Sequence, residues 1–333
     1  MSTHDSWFDT TVLAVRDLTP TVREFQLQYA QAVHADPGAH IDVQVMVNGQ
    51  PDSRSYSVVR CEGPDVTIAV KHVPDSRGGS RYMWSLAQGA RLKATAPASD
   101  LAPVYGSSHY LLIAGGIGIT PLLSVARALV DSGAGVHMAY AARTEAELAY
   151  LAELQELLGE RLRIFVSAQA QHIDIPGEIA ALADTAQLYL CGPMGLMEAV
   201  RAHWFATGRA SSRLRYETFG SSGRYPAADF TVRLPRLGLD IQVPAQQSML
   251  DALAEAGVAM VSNCRRGECG LCAVDVLATE GTADHRDVFF THEQHAQGGK
   301  ICTCVSRMAQ GTITIEPPWR GDPDLTQTDT LAP

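Results

Sequence analysis

Five of the seven cysteines in this 333-residue chain fall between positions 264 and 304. Cys264, Cys269 and Cys272 are spaced C-x4-C-x2-C, and Cys302 and Cys304 follow at a distance. Three thiolates in one loop with a remote fourth is the ligand spacing of a plant-type [2Fe–2S] cluster. Two ferric ions carry a charge that four thiolates offset. The run Arg266-Gly-Glu-Cys-Gly-Leu-Cys272 has the glycines that let backbone N–H groups reach the sulfurs, where such bonds tune the reduction potential. Structural zinc fits less well, because it draws its ligands from two close pairs. Buried core thiols are the bland alternative, and three cysteines within nine residues beside Gly and Arg argue against it. Spacing alone leaves the fourth ligand open between Cys302 and Cys304.

Upstream, two segments carry groups suited to a phosphorylated ring. In Arg54-Ser-Tyr-Ser57, read as a strand, Arg54 and Tyr56 share one face, and Ser55 and Ser57 share the other. Arg54 can meet a phosphate, and Tyr56 can lie against a planar ring. Arg77-Gly-Gly-Ser-Arg81 precedes a predicted helix over 80–87 and offers N–H groups and charge to an anion. Singly, each is also an ordinary strand or loop. Further on, Ala114-Gly-Gly-Ile-Gly-Ile-Thr-Pro121 follows a strand and opens a helix. Its glycines, Gly115, Gly116 and Gly118, permit a tight turn and close approach of a pyrophosphate. The pattern is G-G-x-G, not G-x-G-x-x-G, so a packing turn is the alternative. Cys191-Gly-Pro-Met194 likewise ends a strand and begins a helix, with Pro193 expected at the first helical position.

The elements that must position these groups fall into three stretches. Residues 1–104 hold short β-branched runs (11–15, 22–27, 42–47, 56–59, 66–70) separated by Asp36-Pro-Gly, Asn48-Gly and Glu62-Gly-Pro turns, which suggests a small antiparallel barrel. Residues 105–224 alternate strands (110–114, 136–140, 162–166, 188–191, 214–216) with helices (121–130, 145–158, 194–205), which predicts a doubly wound parallel sheet. Residues 225–333 open with strands 230–234 and 239–243 and a helix over 248–256, capped by Ser248 and stopped by Gly257. The cysteines follow. Linkers are read at 97–108 and 220–228, and the tail beyond Trp319 is expected to fray. Twenty-six basic against 36 acidic residues give a net charge of −10, which argues against nucleic acid as the main partner. Tyr110–Val130 carries Gly, Pro and Arg and reads as a buried strand, turn and helix, not a span. With no basic and apolar leader at the start, a cytoplasmic protein with no membrane partner is expected.

In order, the motifs R-x-Y-S, G-G-I-G-I-T-P, C-G-P-M, Y-E-x-F and C-x4-C-x2-C…C-V-S-R resemble the phthalate dioxygenase reductase and vanillate O-demethylase reductase family over about residues 8–318. The resemblance implies FMN on the barrel, NADH on the central sheet, and a plant-type [2Fe–2S] ferredoxin of α+β, β-grasp form at the end. It implies electrons passed to a Rieske-type terminal oxygenase. By position, Arg54, Tyr56 and Ser57 would bind FMN, with Ser57 near the reactive ring nitrogen, and Gly79, Ser80 and Arg81 would take its phosphate. Gly115, Gly116, Gly118 and Thr120, with Cys191, Gly192 and Pro193, would hold the nicotinamide nucleotide. Phe219 of Tyr216-Glu-Thr-Phe219 would shield the flavin face. Ser57, Thr120 and Phe219 would thus form the catalytic set. Cys264, Cys269, Cys272 and, on the Cys-Val-Ser-Arg match, Cys304 would be the metal ligands. One departure is Pro97-Ala-Ser-Asp100, where family members often carry Pro-Arg-Asn. A monomer is expected. Alternative readings keep the chemistry with another acceptor, such as a cytochrome P450, or make the chain a ferredoxin-type carrier without dehydrogenase activity.

Four further features are read as structural. His292-Glu-Gln-His295 misses the H-E-x-x-H spacing and reads as a solvated segment. Asp251 and Glu255 read as a solvated acidic helix face. Cys61 reads as a structural thiol. Arg143-Thr-Glu145 lies where the adenosine end of a nucleotide would sit, and an exposed loop is its default.

Overall fold

The computed structural model describes residues 6–47, 49–74, 78–219 and 223–318. Asn48 of the second turn, Arg77, the 220–222 part of the second linker and the tail from Trp319 lie outside them. The chain divides into two compact units, Met1–Glu217 and Thr218–Pro333.

The first unit begins with strands β1 (Trp7–Thr19), β2 (Val22–Tyr29), β3 (Ala39–Val47), β4 (Gln50–Glu62) and β5 (Asp65–Lys71). Helix α1 (Gly79–Ser85) and strands β6 (Arg91–Thr95) and β7 (Ala98–Ser99) follow. The sheet runs β4-β5-β2-β1-β6-β3-β7, and an antiparallel β3–β4 ladder closes it into a barrel. Alternation explains the closure. In β3, Ala39, Ile41, Val43 and Val45 are buried while the residues between them are not. They meet Phe25, Leu27 and Ile68 in one core, into which α1 sends Met83. Each of the side chains larger than Ala39 contributes about 1.5–3 kcal/mol relative to exposure.

The same unit continues with β8 (His109–Gly115), α2 (Ile119–Asp131), β9 (Gly135–Ala142), α3 (Leu151–Leu158), β10 (Leu162–Val166), α4 (Ile175–Ala180), β11 (Gln187–Cys191), α5 (Met194–Ala206) and β12 (Leu214–Glu217). The five strands are parallel, in the order β10-β9-β8-β11-β12. Six of the seven residues of β8 are buried, as a strand covered on both faces requires. The doubly wound expectation is met. Two local expectations are corrected, and one helix is additional. The run 145–158 is not one helix: a 3-10 turn, Glu145–Glu147, is separated from α3 by Tyr150 in a left-handed conformation, φ 59°. Pro193 caps α5 from outside instead of occupying its first position. Helix α4, N-capped by Asp174, was not anticipated.

The second unit is built from β13 (Phe230–Leu234), β14 (Leu239–Val243), α6 (Met249–Glu255), β15 (Ala273–Asp284), α7 (His292–Gln297), β16 (Lys300–Cys302) and β17 (Arg307–Glu316). The sheet order is β14-β13-β17-β15-β16, with β13 and β17 parallel and the remaining pairs antiparallel. This is the mixed α+β sheet expected of a β-grasp ferredoxin. Ser248 caps α6 by accepting the Asp251 N–H, and Gly257 ends it with φ 79°. Asp251 corrects the expectation of a solvated face: it accepts the Ser248 hydroxyl at 2.6 Å and pairs with Arg265. Among the described residues no helix is long and apolar enough to cross a membrane.

Candidate functional site

On the barrel, the β3–β4 register sets Arg54 opposite Val43 and Ser57 opposite His40. Arg54 donates to Asp52 at 2.6 Å and runs across Gly79. A Cβ on Gly79 would lie 2.6 Å from the Arg54 Cγ, so a larger residue there would displace the Arg54 side chain from this contact. Ser57 is 4 % exposed, and its hydroxyl has no hydrogen-bond partner among the described residues. A buried hydroxyl left unmatched costs free energy, and a polar ring edge against this strand would satisfy it. Tyr56 packs half-buried against the barrel core. Ser80 exchanges hydrogen bonds with the Val73 backbone, which fixes the start of α1, and Arg81 is exposed. Arg54, packed over Gly79, and the unmatched Ser57 hydroxyl stand three residues apart on β4, and this donor set fits FMN.

On the parallel sheet, Gly116–Gly118 form a single 3-10 turn between β8 and α2, with Gly116 at φ 54°. Gly118 sits so close to β11 that a Cβ would fall 2.2 Å from the Cys191 carbonyl oxygen. Gly115 meets Pro193 in the same way, at 2.5 Å. The two turns therefore interlock, backbone against backbone, at the carboxyl ends of adjacent strands (Ala114 is in register with Cys191). From β8 the chain winds to β9 and β10 on one side and to β11 and β12 on the other, so the interlock marks the topological switch point where open α/β sheets bind ligands. Thr120 is buried at the first turn of α2 and donates its hydroxyl to Ile117 O. This cradle fits a dinucleotide. Beyond β9, the Glu145 carboxylate accepts from Gln169 at 2.9 Å, and Arg143 is exposed.

In the second unit the cysteine loop turns through three left-handed residues, Arg265, Gly267 and Gly270. The turns aim the N–H groups of Arg266, Glu268 and Cys269 at the Cys264 sulfur, at 3.4–3.5 Å. The Sγ atoms of Cys272 and Cys304 lie 3.2 Å apart. Cys302, opposite Ala273 in the β15–β16 ladder, is fully buried beside both. Hydrogen bonds from Cys302 first, then Cys304, lower the Cys272 thiol to about 3, whereas burial raises Cys264. Cys269 is also lowered, while hydrogen bonding to Cys272 and burial raise Cys302 and Cys304. It is the closeness of the sulfurs and the N–H donors around Cys264 that fit an iron–sulfur cluster. Both Cys302 and Cys304 are brought to it, so geometry does not choose between them. Cys61 lies elsewhere, its thiol donating to Val33 O.

Sequence reasoning missed the support of this loop. Asp287 is fully buried and accepts from Phe290 N–H, Ser306 Oγ and the His295 ring, each at 3.0 Å. Burial pushes its carboxyl up, but the hydrogen bond and charge of His295, with the other two donors, bring it below the usual range. Val288 and Phe289 donate to Gly267 O of the cysteine loop. His295 is therefore not solvated: it stacks on His285 at 4.4 Å. The three side chains could approach one metal ion. Nearly parallel rings, however, aim their in-plane lone pairs in separate planes, so the trio braces the loop. The signal available in sequence was Thr291-x-x-Gln294, a capping box that starts α7. Phe219 belongs to the second unit, and its neighbour Thr218 is tied to Glu268 of the cysteine loop at 2.8 Å.

Residues 234–309 match a 2Fe-2S iron-sulfur cluster binding domain, and residues 112–202 match an oxidoreductase NAD-binding domain. The chain is 32% identical to the heme-dependent oxidative N-demethylase beta subunit of Ectopseudomonas mendocina, over 92% of this chain and 98% of that one. It is 31% identical to the vanillate O-demethylase oxidoreductase of Acinetobacter baylyi, with the same coverage of 92% and 98%. Among solved structures, phthalate dioxygenase reductase superposes with a TM-score of 0.73 at 28% identity, covering 94% of this chain and 98% of that one.

Proposed function

The chain belongs to the phthalate dioxygenase reductase and vanillate O-demethylase reductase family, and from that membership we propose how its residues divide the work of an NADH-dependent flavin iron–sulfur reductase. The observation that carries the reading is a dinucleotide cradle and a multi-thiol loop in one chain. NADH supplies two electrons as hydride, a [2Fe–2S] cluster takes one at a time, and FMN exchanges both ways. The protein's part is to hold and orient. Arg54, with Gly79, Ser80 and Arg81, binds the FMN phosphate end, Tyr56 lies along the ring, and the Ser57 hydroxyl meets the ring edge near its reactive nitrogen. The interlocked turns of Gly115, Gly116, Gly118 and Thr120 with Cys191, Gly192 and Pro193 seat the nicotinamide, and Phe219 is the aromatic residue that the Y-E-x-F segment contributes. Cys264, Cys269, Cys272 and Cys304 hold the cluster. The corresponding functional segments are 1–104, 105–224 and 225–333.

The electrons leave for the oxygenase component of a monooxygenase, dioxygenase or demethylase system, of the Rieske type, from a cytoplasmic and monomeric reductase. A second acceptor class is favoured by one observation: a similar chain is the beta subunit of a heme-dependent demethylase. The test is direct. The purified protein should be red-brown, hold about two irons and one FMN, reduce ferricyanide with NADH, and support a purified Rieske oxygenase. Failure with every Rieske oxygenase but turnover with a heme partner would reassign the acceptor. Flavin-free protein inert to NADH would make it a carrier.

A further inference from the structure

Three non-glycine residues among those described have positive φ: Arg265, Ala170 and Tyr150. Arg265 lies in the cysteine loop, and Ala170 is exposed on a turn. Tyr150 is neither. A left-handed backbone is disfavoured for an aromatic residue, and here it interrupts a run that sequence reads as one helix. Strain of this kind persists only where the surroundings impose it.

The imposing contact is on the barrel. Tyr150 is 7 % exposed, and its hydroxyl donates to Glu24 Oε2 on β2 at 2.8 Å. The other Glu24 oxygen accepts from Arg16 at 2.8 Å. Arg60 of β4 lies 3.6 Å from Glu24 and also pairs with Glu153 of α3, which in turn pairs with Arg127 near the end of α2. Burial, with the Glu24 charge, raises the Tyr150 phenol, so it stays a hydrogen donor at any physiological pH. Helix α2 is thus tied to the barrel at two levels. Arg127 joins the charged network, and one turn nearer the start the Ser124 hydroxyl accepts the Gly38 N–H of the barrel at 3.0 Å. The start of the same helix carries Gly118 and Thr120 of the nucleotide cradle.

We propose that the Tyr150–Glu24 bond is a latch that sets the angle between nucleotide cradle and flavin barrel, making Tyr150 and Glu24 positioning residues for hydride transfer. The inference rests on reading those two sites as the NADH and FMN sites. A donor and acceptor that must meet at near contact distance are sensitive to small rotations, because a displacement of about 1 Å costs about a hundredfold in rate. The hydride leaves the nicotinamide ring for the flavin in the ordinary reaction. The latch adds no step and only fixes the distance.

The experiment is anaerobic stopped-flow reduction of full-length holoenzyme by NADH, on wild type, Tyr150→Phe and Glu24→Gln. Tyr150→Phe keeps the ring and removes the bond. Glu24→Gln keeps an oxygen acceptor and so tests rescue. Tyr150→Phe should lower the limiting rate of flavin reduction about tenfold. It should also weaken the long-wavelength absorbance of the stacked nicotinamide–flavin pair, and leave NADH affinity, FMN content and iron content unchanged. Glu24→Gln should stay near wild type in rate and absorbance. An unchanged limiting rate and absorbance in Tyr150→Phe, even with a lower melting temperature, would overturn the latch and leave mere packing. A wild-type flavin that NADH does not reduce would overturn the functional reading, and the latch with it.

Discussion

At the scale of single residues, the tightest question is which thiol after β16 completes the ligand set. Cys302 is a ladder residue, sealed in the core, and its S–H has a neighbouring sulfur to bond. Cys304 sits in the following turn, 3.2 Å from Cys272. With Cys304 as ligand, Cys304→Ser should lose the cluster's visible absorbance and iron, while Cys302→Ser keeps about two irons. The reverse pattern would exchange their roles, and iron retained in both would mean that they substitute for one another. A second residue-scale choice concerns the adenosine end. Glu145 accepts from Gln169, and its charge would oppose a 2′-phosphate there, against the exposed cation of Arg143. NADH should therefore give the higher kcat/KM for ferricyanide reduction at low salt. Glu145→Gln should narrow the gap to NADPH by an amount on the order of 1 kcal/mol. Equal efficiency of the two nucleotides with wild type would show that Arg143 dominates.

Elements decide whether those residues can act. The switch point depends on a glycine for closeness at one position and for backbone freedom at another, and the two should respond differently. At Gly118, a Cβ would fall 2.2 Å from a carbonyl oxygen of β11, so Gly118→Ala must push α2 from β11. It should cost about 1–3 kcal/mol and raise the KM for NADH. At Gly116 nothing lies near the added atom, and only φ 54° is at stake. Gly116→Ala should cost about 1–2 kcal/mol in a thermal melt and disturb the packing of β11 little. Equal effects of the two on the KM would deny the interlock. Around the cysteine loop, the brace is an acid. The Asp287 carboxyl is lowered on folding, so its contribution is complete above the unfolded value of about 4 and is lost as pH falls through the lowered folded value. Asp287→Asn should flatten the acid limb of a stability–pH curve measured between about pH 2 and 5. An unaltered limb would place the acid sensitivity elsewhere.

For the molecule as a whole, the consequential fact is that barrel and cysteine loop belong to units with separate cores. Damage at one cofactor should leave the other bound. Arg54→Ala removes a charge-assisted contact and should weaken FMN retention by about 1.5–3 kcal/mol, with the cluster's absorbance intact. Cys304→Ser should still reduce ferricyanide with NADH through flavin alone. Loss of iron on Arg54→Ala would mean that the units fold as one.

Sequence by itself determined what is encoded in local pattern. Period-two burial in β3, continuous apolar β8, the Ser248 cap and the C-x4-C-x2-C loop each carry their cause within a few residues, so the three sheets and the chemistry of the cysteines were legible. What only the tertiary structure decided involves partners distant in sequence. The left-handed Tyr150 gives its hydroxyl to Glu24, 126 residues earlier. The depth of His295 exists because Asp287 needs a donor. The closeness of Gly118 to Cys191 follows from neighbouring parallel strands separated by a long crossover. In each case local preference pointed to a different conformation or environment, or was silent. For Tyr150 and His295, burial of a polar group far along the chain overrode it, because an unmatched buried donor or acceptor costs more than a turn of helix or an exposed imidazole provides.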